Sequence, residues 1–413
     1  MQKEFSLKDL LLITPPFTQL NTPYPATAYI KGFLNTKNIS SYQIDLGIEV
    51  ILALFSKSGI EKIFSKTPSL EGTSENSKRI FALREEYIKT IDQVILFLQN
   101  KNPTLARQIC SMNFLPEASR FNQLDDMEYA FGNMGLQDKA KHLATLYLED
   151  ISDYMVENID ADFGFSRYAE RIGQSANSFE ELYEKLNDQH TFTDEFTLKI
   201  LQEKLDLVQP KLVCFSVPFP GNLYAAFRSA QFIKANYPNI KIAMGGGFPN
   251  TELRELKDAR VFEFFDYITL DDGELPLELV YENAISNKDI SEAEFKRTFV
   301  LENKEVKYIN NTARSDYKQA FVGTPDYSNL LLDQYISVIE IANPMHSLWS
   351  DGRWNKLTMA HGCYWGKCTF CDISLDYIKI YEPISAKILV DRMEELIAQT
   401  GESGFHFVDE AAP

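Results

Sequence analysis

The stretch KLVCFSV at residues 211–217 is a continuous apolar run, and the fold can be worked out from what surrounds it. A run of this length suits a strand that is buried on both faces of a parallel sheet. An amphipathic helix follows at 222–237, and a second apolar run, KIAM at 241–244, leads into three glycines. A strand at 267–270 and a helix at 275–283 repeat the pattern. Strands that alternate with helices predict an open α/β sheet with parallel strands, as in Rossmann-like folds.

The N-terminal part of the chain predicts two further strands of this sheet. Residues 10–13 (LLLI) form a short apolar run that two prolines stop, and residues 42–47 (YQIDLG) form another. From about residue 50 to residue 208 the spacing of apolar residues is helical, as in the stripe at 80–98. We therefore predict a Rossmann-like sheet that is interrupted by a helical insertion of more than a hundred residues.

Three domains are predicted along the chain. Residues 1–283 form the Rossmann-like domain with its insertion, and residues 284–353 form a connector with a small hairpin at 299–308. A last unit occupies 354–413.

The last unit predicts one β-α-β motif. A strand at 356–360 precedes a loop with three cysteines, a helix follows at 385–400, and a strand at 404–409 ends near the last residue. One such motif cannot bury its sheet alone, so we expect the chain to stop inside a domain, with an open strand edge. On that expectation, residues 354–413 would be digested by proteases before the first sheet.

Composition limits the partners of the protein. Of the 413 residues, 41 are Lys or Arg and 59 are Asp or Glu, which gives a net charge of −18. This acidity argues against a nucleic-acid partner and against an anionic membrane surface. The sequence shows neither an apolar run of about 18 residues nor a signal peptide, and three of its five cysteines fall within nine residues. These features predict a cytoplasmic protein without a membrane span or a disulfide framework.

The three clustered cysteines predict a metal site. Cys363, Cys368 and Cys371 lie on one short glycine-containing loop, so their thiolates can converge on one centre. A 4Fe–4S cluster with three cysteine ligands keeps one iron open for a substrate or cofactor. Structural zinc, with His361 as the fourth ligand, and a chance group of free thiols are the alternatives.

This loop resembles the cluster-binding loop of radical SAM enzymes, which follows the first strand of a partial (β/α) barrel. Phe370 occupies the aromatic position before the last cysteine, although four residues separate Cys363 from Cys368 where the family usually has three. The resemblance implies that the cysteines hold a 4Fe–4S cluster and that S-adenosylmethionine binds its open iron. An external electron donor would then supply the electron that produces a 5′-deoxyadenosyl radical.

The family also predicts where S-adenosylmethionine is held. Residues at the end of the second barrel strand receive its amino group, and Asp409 and Glu410 occupy that place here. Phe370 is assigned to the same site. A carboxylate that faces an ammonium is sensible chemistry, and the alternative is that Asp409 or Glu410 caps a turn.

The first sheet resembles the cobalamin-binding Rossmann-like domain of methionine synthase and of many radical SAM enzymes. Ser216, Gly245 and Gly246 fall on the positions that line the cleft for the nucleotide tail, so a side chain at Gly246 is expected to fill that cleft. Residues 271–274 (DDGE) resemble the acidic turn of such fused domains. The loop at 14–22 contains no histidine, which departs from methionine synthase and implies that no histidine from this loop ligates cobalt.

Together the two resemblances imply a cobalamin-dependent radical SAM enzyme that methylates an unactivated carbon, with methylcobalamin as donor. The alternatives are a radical rearrangement or ring closure without methyl transfer, and an iron–sulfur or metal redox sensor whose Rossmann domain is a scaffold. Because the acidity of the chain argues against nucleic acid, the expected substrates are small molecules, peptides or lipids. The residues do not reveal the catalytic side chains.

The cysteine loop gives the first testable prediction. Anaerobic reconstitution of the chain with iron and sulfide should give 4Fe–4S absorbance, and changing Cys363, Cys368 and Cys371 to alanine should abolish it, because no thiolate ligands remain. Stoichiometric zinc in the native protein, with no uptake of iron, would contradict this prediction.

Overall fold

The protein is built on one mixed sheet. The structure is a computed structural model, and it describes residues 8–67, 69–111, 113–123, 135–165, 179–286, 288, 290–340, 354–369 and 375–409. Five parallel strands form most of this sheet, and an antiparallel hairpin extends one edge. In spatial order the strands are β2 (Ser41–Asp45), β1 (Leu10–Thr14), β3 (Leu212–Ser216), β4 (Lys241–Gly245), β5 (Tyr267–Thr269), β6 (Thr298–Glu302) and β7 (Glu305–Ile309). The predicted α/β class with a mostly parallel sheet is confirmed.

The central strands are buried on both faces, as their continuous apolar sequences predict. In β1, Leu11 and Ile13 belong to one hydrophobic cluster, and Leu10 and Leu12 belong to the cluster on the opposite face. The strand order reverses between β1 and β3, and the carboxyl ends of strands beside such a point are where open α/β sheets bind ligands.

Helices cover both faces of the sheet. The first cluster is packed by helices that come between β2 and β3, and the second by α1 and α12. In the described part of the chain, the α-helices are α1 (Ala26–Thr36), α2 (Leu46–Leu54), α3 (Lys57–Lys66), α4 (Glu75–Ala82), α5 (Arg84–Leu98), α6 (Ala106–Cys110), α7 (Leu136–Asn158), α8 (Glu180–Asn187), α9 (Phe192–Val208), α10 (Leu223–Asn236), α11 (Gly247–Glu252), α12 (Glu274–Ala284), α13 (Asp376–Lys379) and α14 (Ala386–Thr400).

A buried ion pair fastens the helical segment between β2 and β3 to α10. The side chains of Asp194 on α9 and Arg228 on α10 are each 2% exposed, and their Oδ2 and Nε atoms are 3.1 Å apart. Arg228 also donates to the carbonyl oxygens of Lys185 and Leu186 near the end of α8, at 3.1 and 2.8 Å. Tyr224 donates to the same Asp194 oxygen at 2.7 Å. One guanidinium therefore joins three helices.

The hairpin predicted at 299–308 is present as β6 and β7, and it extends the main sheet past residue 283. Ile268 and Thr269 of β5 pair with Phe299 and Thr298 of β6. β5 is short, with three residues. β6 pairs with it and so covers a strand edge that would otherwise be exposed.

The prediction of a single strand at 356–360 is wrong, because the chain forms two short strands there. β8 (Asn355–Leu357) pairs in parallel with β11 (Phe405–Phe407), and β9 (Ala360–Gly362) pairs antiparallel with β10 (Tyr381–Pro383), which was not predicted. The break has a visible cause. Asp409 Oδ1 accepts hydrogen bonds from the backbone N–H groups of Met359 and Ala360, at 2.8 and 2.7 Å.

The segment before this unit is anchored on α1 and β2. Lys31 of α1 is 4% exposed, and its ammonium donates to the carbonyl oxygen of Ser328 at 2.9 Å. The amide of Gln43 on β2 donates to the carbonyl oxygens of Asp326 and Ser328 at 2.6 and 2.8 Å. These contacts hold the connector against the first sheet.

The buried ion pair predicts a stability loss. Arg228→Met leaves the Asp194 carboxylate buried without its cation, which should lower the free energy of unfolding by about 3–5 kcal/mol. Lys199→Met is the matched control, because Lys199 lies on α9 with a side chain that is 70% exposed. Urea unfolding measures both variants, and a loss below about 1 kcal/mol for Arg228→Met would contradict the role given to this pair.

Candidate functional site at the carboxyl edge of the sheet

A cavity of about 390 Å³ lies at the carboxyl ends of β3, β4 and β5, on the side of the sheet that faces α1. Ser216 ends β3, Gly245 ends β4 and Gly246 follows it, so the three predicted cobalamin-binding residues line one cavity. Their role toward cobalamin stays a prediction. The wall also contains residues 271–274 and Tyr29 of α1.

Position 246 requires a glycine because of its backbone conformation and the nearby backbone of Val217, not because a side chain there would occupy the cavity. Its φ is +109°, and a Cβ atom there would lie 2.7 Å from the carbonyl oxygen of Val217 and 2.8 Å from its nitrogen. The expectation that a side chain at Gly246 would fill the cleft is therefore wrong, because it would first collide with the backbone after β3. A Cβ at Gly245 would meet the Thr269 hydroxyl at 2.9 Å, which is a side chain that can move.

A buried arginine holds the acidic turn that forms the far wall of the cavity. Arg297 is 7% exposed and donates to the carbonyl oxygens of Leu270 and Asp272 at 3.3 and 3.2 Å. Its guanidinium also makes two hydrogen bonds to Asp316, at 2.7 and 2.8 Å. Asp271, at a positive φ of 59°, pairs with Arg254 and lies 3.8 Å from Arg297. Arg254, Arg297 and Asp316 were not predicted from the sequence, because isolated charged residues give no local signal.

Two carboxyl groups of this turn have raised pKa values. Burial, the nearby Glu274 carboxylate and Asp316 raise the pKa of Asp272 to about 7, although His361 and Arg297 act in the opposite direction. Burial also raises the pKa of Glu274. The cavity wall can therefore both donate and accept protons near neutral pH.

Two hydrogen bonds connect the cavity wall to the strand that leads into the cysteine loop. Nε2 of His361, on β9, lies 3.0 Å from Oδ1 of Asp272. The hydroxyl of Tyr29 lies 3.0 Å from that of Thr358, just before β9. Since Cys363 follows β9 directly, the cysteine loop starts beside the cavity.

The described part of the cysteine loop is open to solvent. Cys363 is half-buried, and its Sγ accepts a hydrogen bond from the backbone N–H of Gly366 at 3.4 Å. Cys368 is exposed, and Tyr364 and Trp365 are more than half exposed. Cys371 and Phe370 lie outside the described residues. Within those residues, no three His, Cys, Asp or Glu side chains are grouped to hold a metal, so the predicted three-cysteine set stays a prediction.

The two carboxylate oxygens of Asp409 differ in their hydrogen bonds. Oδ1 accepts the two backbone hydrogen bonds that break the strand before β9, whereas Oδ2 is buried and has no hydrogen-bond partner among the described residues. A buried carboxylate oxygen of this kind suits a ligand donor. Its predicted partner Glu410 lies outside the described residues.

No family model and no curated protein matches this chain. Two solved structures that resemble it are of TsrM from Kitasatospora setae, a radical S-adenosylmethionine methyltransferase. One holds tryptophan substrate and a SAM analogue, with a TM-score of 0.37 and 16% identity over 51% of this chain and 39% of that chain. The other holds cobalamin and a [4Fe–4S] cluster, with a TM-score of 0.34 and 17% identity over 59% and 45%. The chain thus spans about two fifths of the TsrM chains, and we base its function on its own residues.

Among the described helices, none is both long and apolar enough to span a lipid bilayer.

The raised pKa of Asp272 predicts a pH dependence of stability. An unfolded aspartate ionises near pH 4, whereas Asp272 in the folded protein keeps its proton up to about pH 7. The folded state therefore binds more protons in this window, so the contribution of Asp272 to stability is lost as the pH rises from about 4 to about 7. We expect this fall to be smaller in Asp272→Asn.

Urea unfolding at several pH values between about 4.5 and 7.5 measures this effect. Asp188→Asn is the control, because Asp188 is exposed just after α8. Equal pH slopes for Asp272→Asn and wild type would contradict the prediction.

Proposed function

We propose that this chain belongs to a cobalamin-dependent radical SAM enzyme that methylates an unactivated carbon of a small molecule, peptide or lipid. The observation that carries the proposal is the contact between the two predicted sites. The cavity lined by Ser216, Gly245 and Gly246 shares its acidic turn with His361, two residues before the first cysteine. A methyl carrier and a radical generator must face one substrate, and this contact is what such an arrangement requires.

The residues present fit the three cofactors in different ways. The cavity lies where open α/β sheets bind ligands, and Ser216 offers it a hydroxyl. The hydrogen bond from Gly366 N–H to Cys363 Sγ is the type that stabilises a thiolate ligand of an iron–sulfur cluster. The unpartnered Oδ2 of Asp409 is an acceptor that can receive the amino group of S-adenosylmethionine.

When bound, the cluster and S-adenosylmethionine would supply a carbon radical, and cobalamin would supply the methyl group. The residues of this chain would bind and orient these groups. Asp409 would orient S-adenosylmethionine while its other oxygen fixes the start of β9. Asp272 would fix the position of β9 relative to the cavity through His361.

Cobalamin binding tests the first half of the proposal. Ser216→Tyr puts bulk on a residue that lines the cavity, so it should weaken binding of cob(II)alamin at least about tenfold in an absorbance titration. Ser65→Tyr is the control, because Ser65 is exposed on α3. The paramagnetic resonance spectrum of the bound form should lack the splitting from a histidine nitrogen, which ¹⁵N labelling of histidine identifies, since the loop at 14–22 contains no histidine. Such splitting, or equal affinities in the two variants, would contradict the proposal.

Cleavage of S-adenosylmethionine tests the second half. The reconstituted chain should bind it, and Asp409→Asn should weaken binding by about 10–100-fold, because the variant keeps Oδ1 but loses the charge. Equilibrium dialysis measures the affinity, and release of 5′-deoxyadenosine reports the chemistry. A reconstituted protein that changes redox state but neither binds nor cleaves S-adenosylmethionine would instead support the redox sensor.

A further inference from the structure

A lysine and a histidine lie side by side on the small sheet formed by β8 and β11. Lys356 and His406 are direct partners in the parallel register of the two strands. The Nζ atom of Lys356 is 3.4 Å from Nδ1 of His406. Leu357, the next residue, packs with Leu396 of α14, so Lys356 points to the face away from that helix.

Lys356 is a buried cation without a counter-charge among the described residues. It is 6% exposed, and burial lowers its pKa to about 8 with no contribution from a neighbouring charge. Burial and the adjacent lysine also lower the pKa of His406. Two other buried cations have acidic partners, since Arg228 pairs with Asp194 and Arg297 pairs with Asp316. A buried ammonium that lacks a counter-charge lowers the stability of the fold, so its presence calls for another explanation.

We propose that Lys356 and His406 form a binding site for the carboxylate group of a ligand. An ammonium and an imidazole can each donate a hydrogen bond to one oxygen of a planar, singly charged carboxylate. Phosphate sites use more cationic or backbone donors, usually several arginines or a row of backbone N–H groups. Within the described residues, the basic groups that the two strands place on this face are one ammonium and one imidazole. A carboxylate ligand would supply the charge that Lys356 lacks.

The position of the pair makes it suitable for a substrate. β8 leads to the cysteine loop through β9, and β11 leads to Asp409 two residues after its end. A ligand held by its carboxylate at Lys356 would lie on the two strands that support the predicted cluster and S-adenosylmethionine. The assignment to the substrate rests on the proposed function, whereas the carboxylate site itself does not.

The test uses the full chain without iron, cobalamin or S-adenosylmethionine, so its failure is separate from failure of the proposed function. Sodium acetate is the probe, titrated by calorimetry against sodium chloride at equal ionic strength. We expect a Kd on the order of 1–10 mM for so small a ligand. Lys356→Met should weaken acetate binding at least about tenfold, because the ammonium is gone.

The same variant separates a binding role from a structural one. Removing an uncompensated buried charge should raise the Tm of the ligand-free protein by about 1–3 °C, whereas loss of a structural contact would lower it. Lys387→Met is the control, because Lys387 lies on α14 with a side chain that is 82% exposed. It should bind acetate like wild type.

Three results would overturn the proposal. They are equal acetate affinity in Lys356→Met and wild type, a lower Tm in Lys356→Met, and tighter binding of inorganic phosphate than of acetate. If Lys356→Met does not fold, nitrogen NMR of lysine-labelled wild type gives the answer, because saturating acetate should raise the pKa of Lys356 towards its ordinary value. An unchanged pKa would overturn the proposal as well.

Discussion

The guanidinium of Arg297 is the interaction on which the carboxyl edge of the sheet depends. It is buried where the edge hairpin begins, and it holds two carbonyl oxygens of the turn after β5 as well as the carboxylate of Asp316. That turn bears Asp272, which in turn holds His361 and thereby the strand before the cysteine loop. Without the guanidinium, two buried carbonyl groups would lose their donor, and the turn would lose its link to Asp316. The hairpin, the turn, the cavity and the cysteine loop therefore form one connected structure.

The acidity of this edge has a physical consequence for any ligand. The pKa values of Asp272 and Glu274 are raised because burial penalises their charged forms. Nearby carboxylates add to this effect, Glu274 and Asp316 for Asp272 and Asp316 for Glu274. A protonated carboxyl group donates a hydrogen bond, so the cavity wall offers donors as well as acceptors. Such a wall suits the amide groups of a polar ligand, which the proposed cobalamin has.

The elements that the sequence predicted best are those with a strong local pattern. The apolar runs at 10–13 and 211–217 are β1 and β3, and the amphipathic stretch at 222–237 is α10. The prediction of a strand at 356–360 failed because its break comes from Asp409, which is 50 positions from Met359 along the chain. β10 was missed because its three residues, one of them Pro383, carry no alternating pattern. For the candidate site, Ser216, Gly245 and Gly246 were predicted from the resemblance to cobalamin-binding domains. They line one cavity because the carboxyl ends of parallel strands meet at one edge.

Periodicity and spacing are local properties, so the amino-acid sequence alone predicts the α/β class, the strands of the parallel sheet, the helical segment between β2 and β3 and the cysteine loop. Which residues stand beside one another follows only from the tertiary structure. His361 and Asp272 are 89 positions apart in the chain, and Lys356 and His406 are 50 apart. That Gly246 is constrained by the backbone of Val217 likewise follows only from the tertiary structure. Contacts of this kind depend on how the strands are ordered and how the turns are held, and no short stretch of sequence records either.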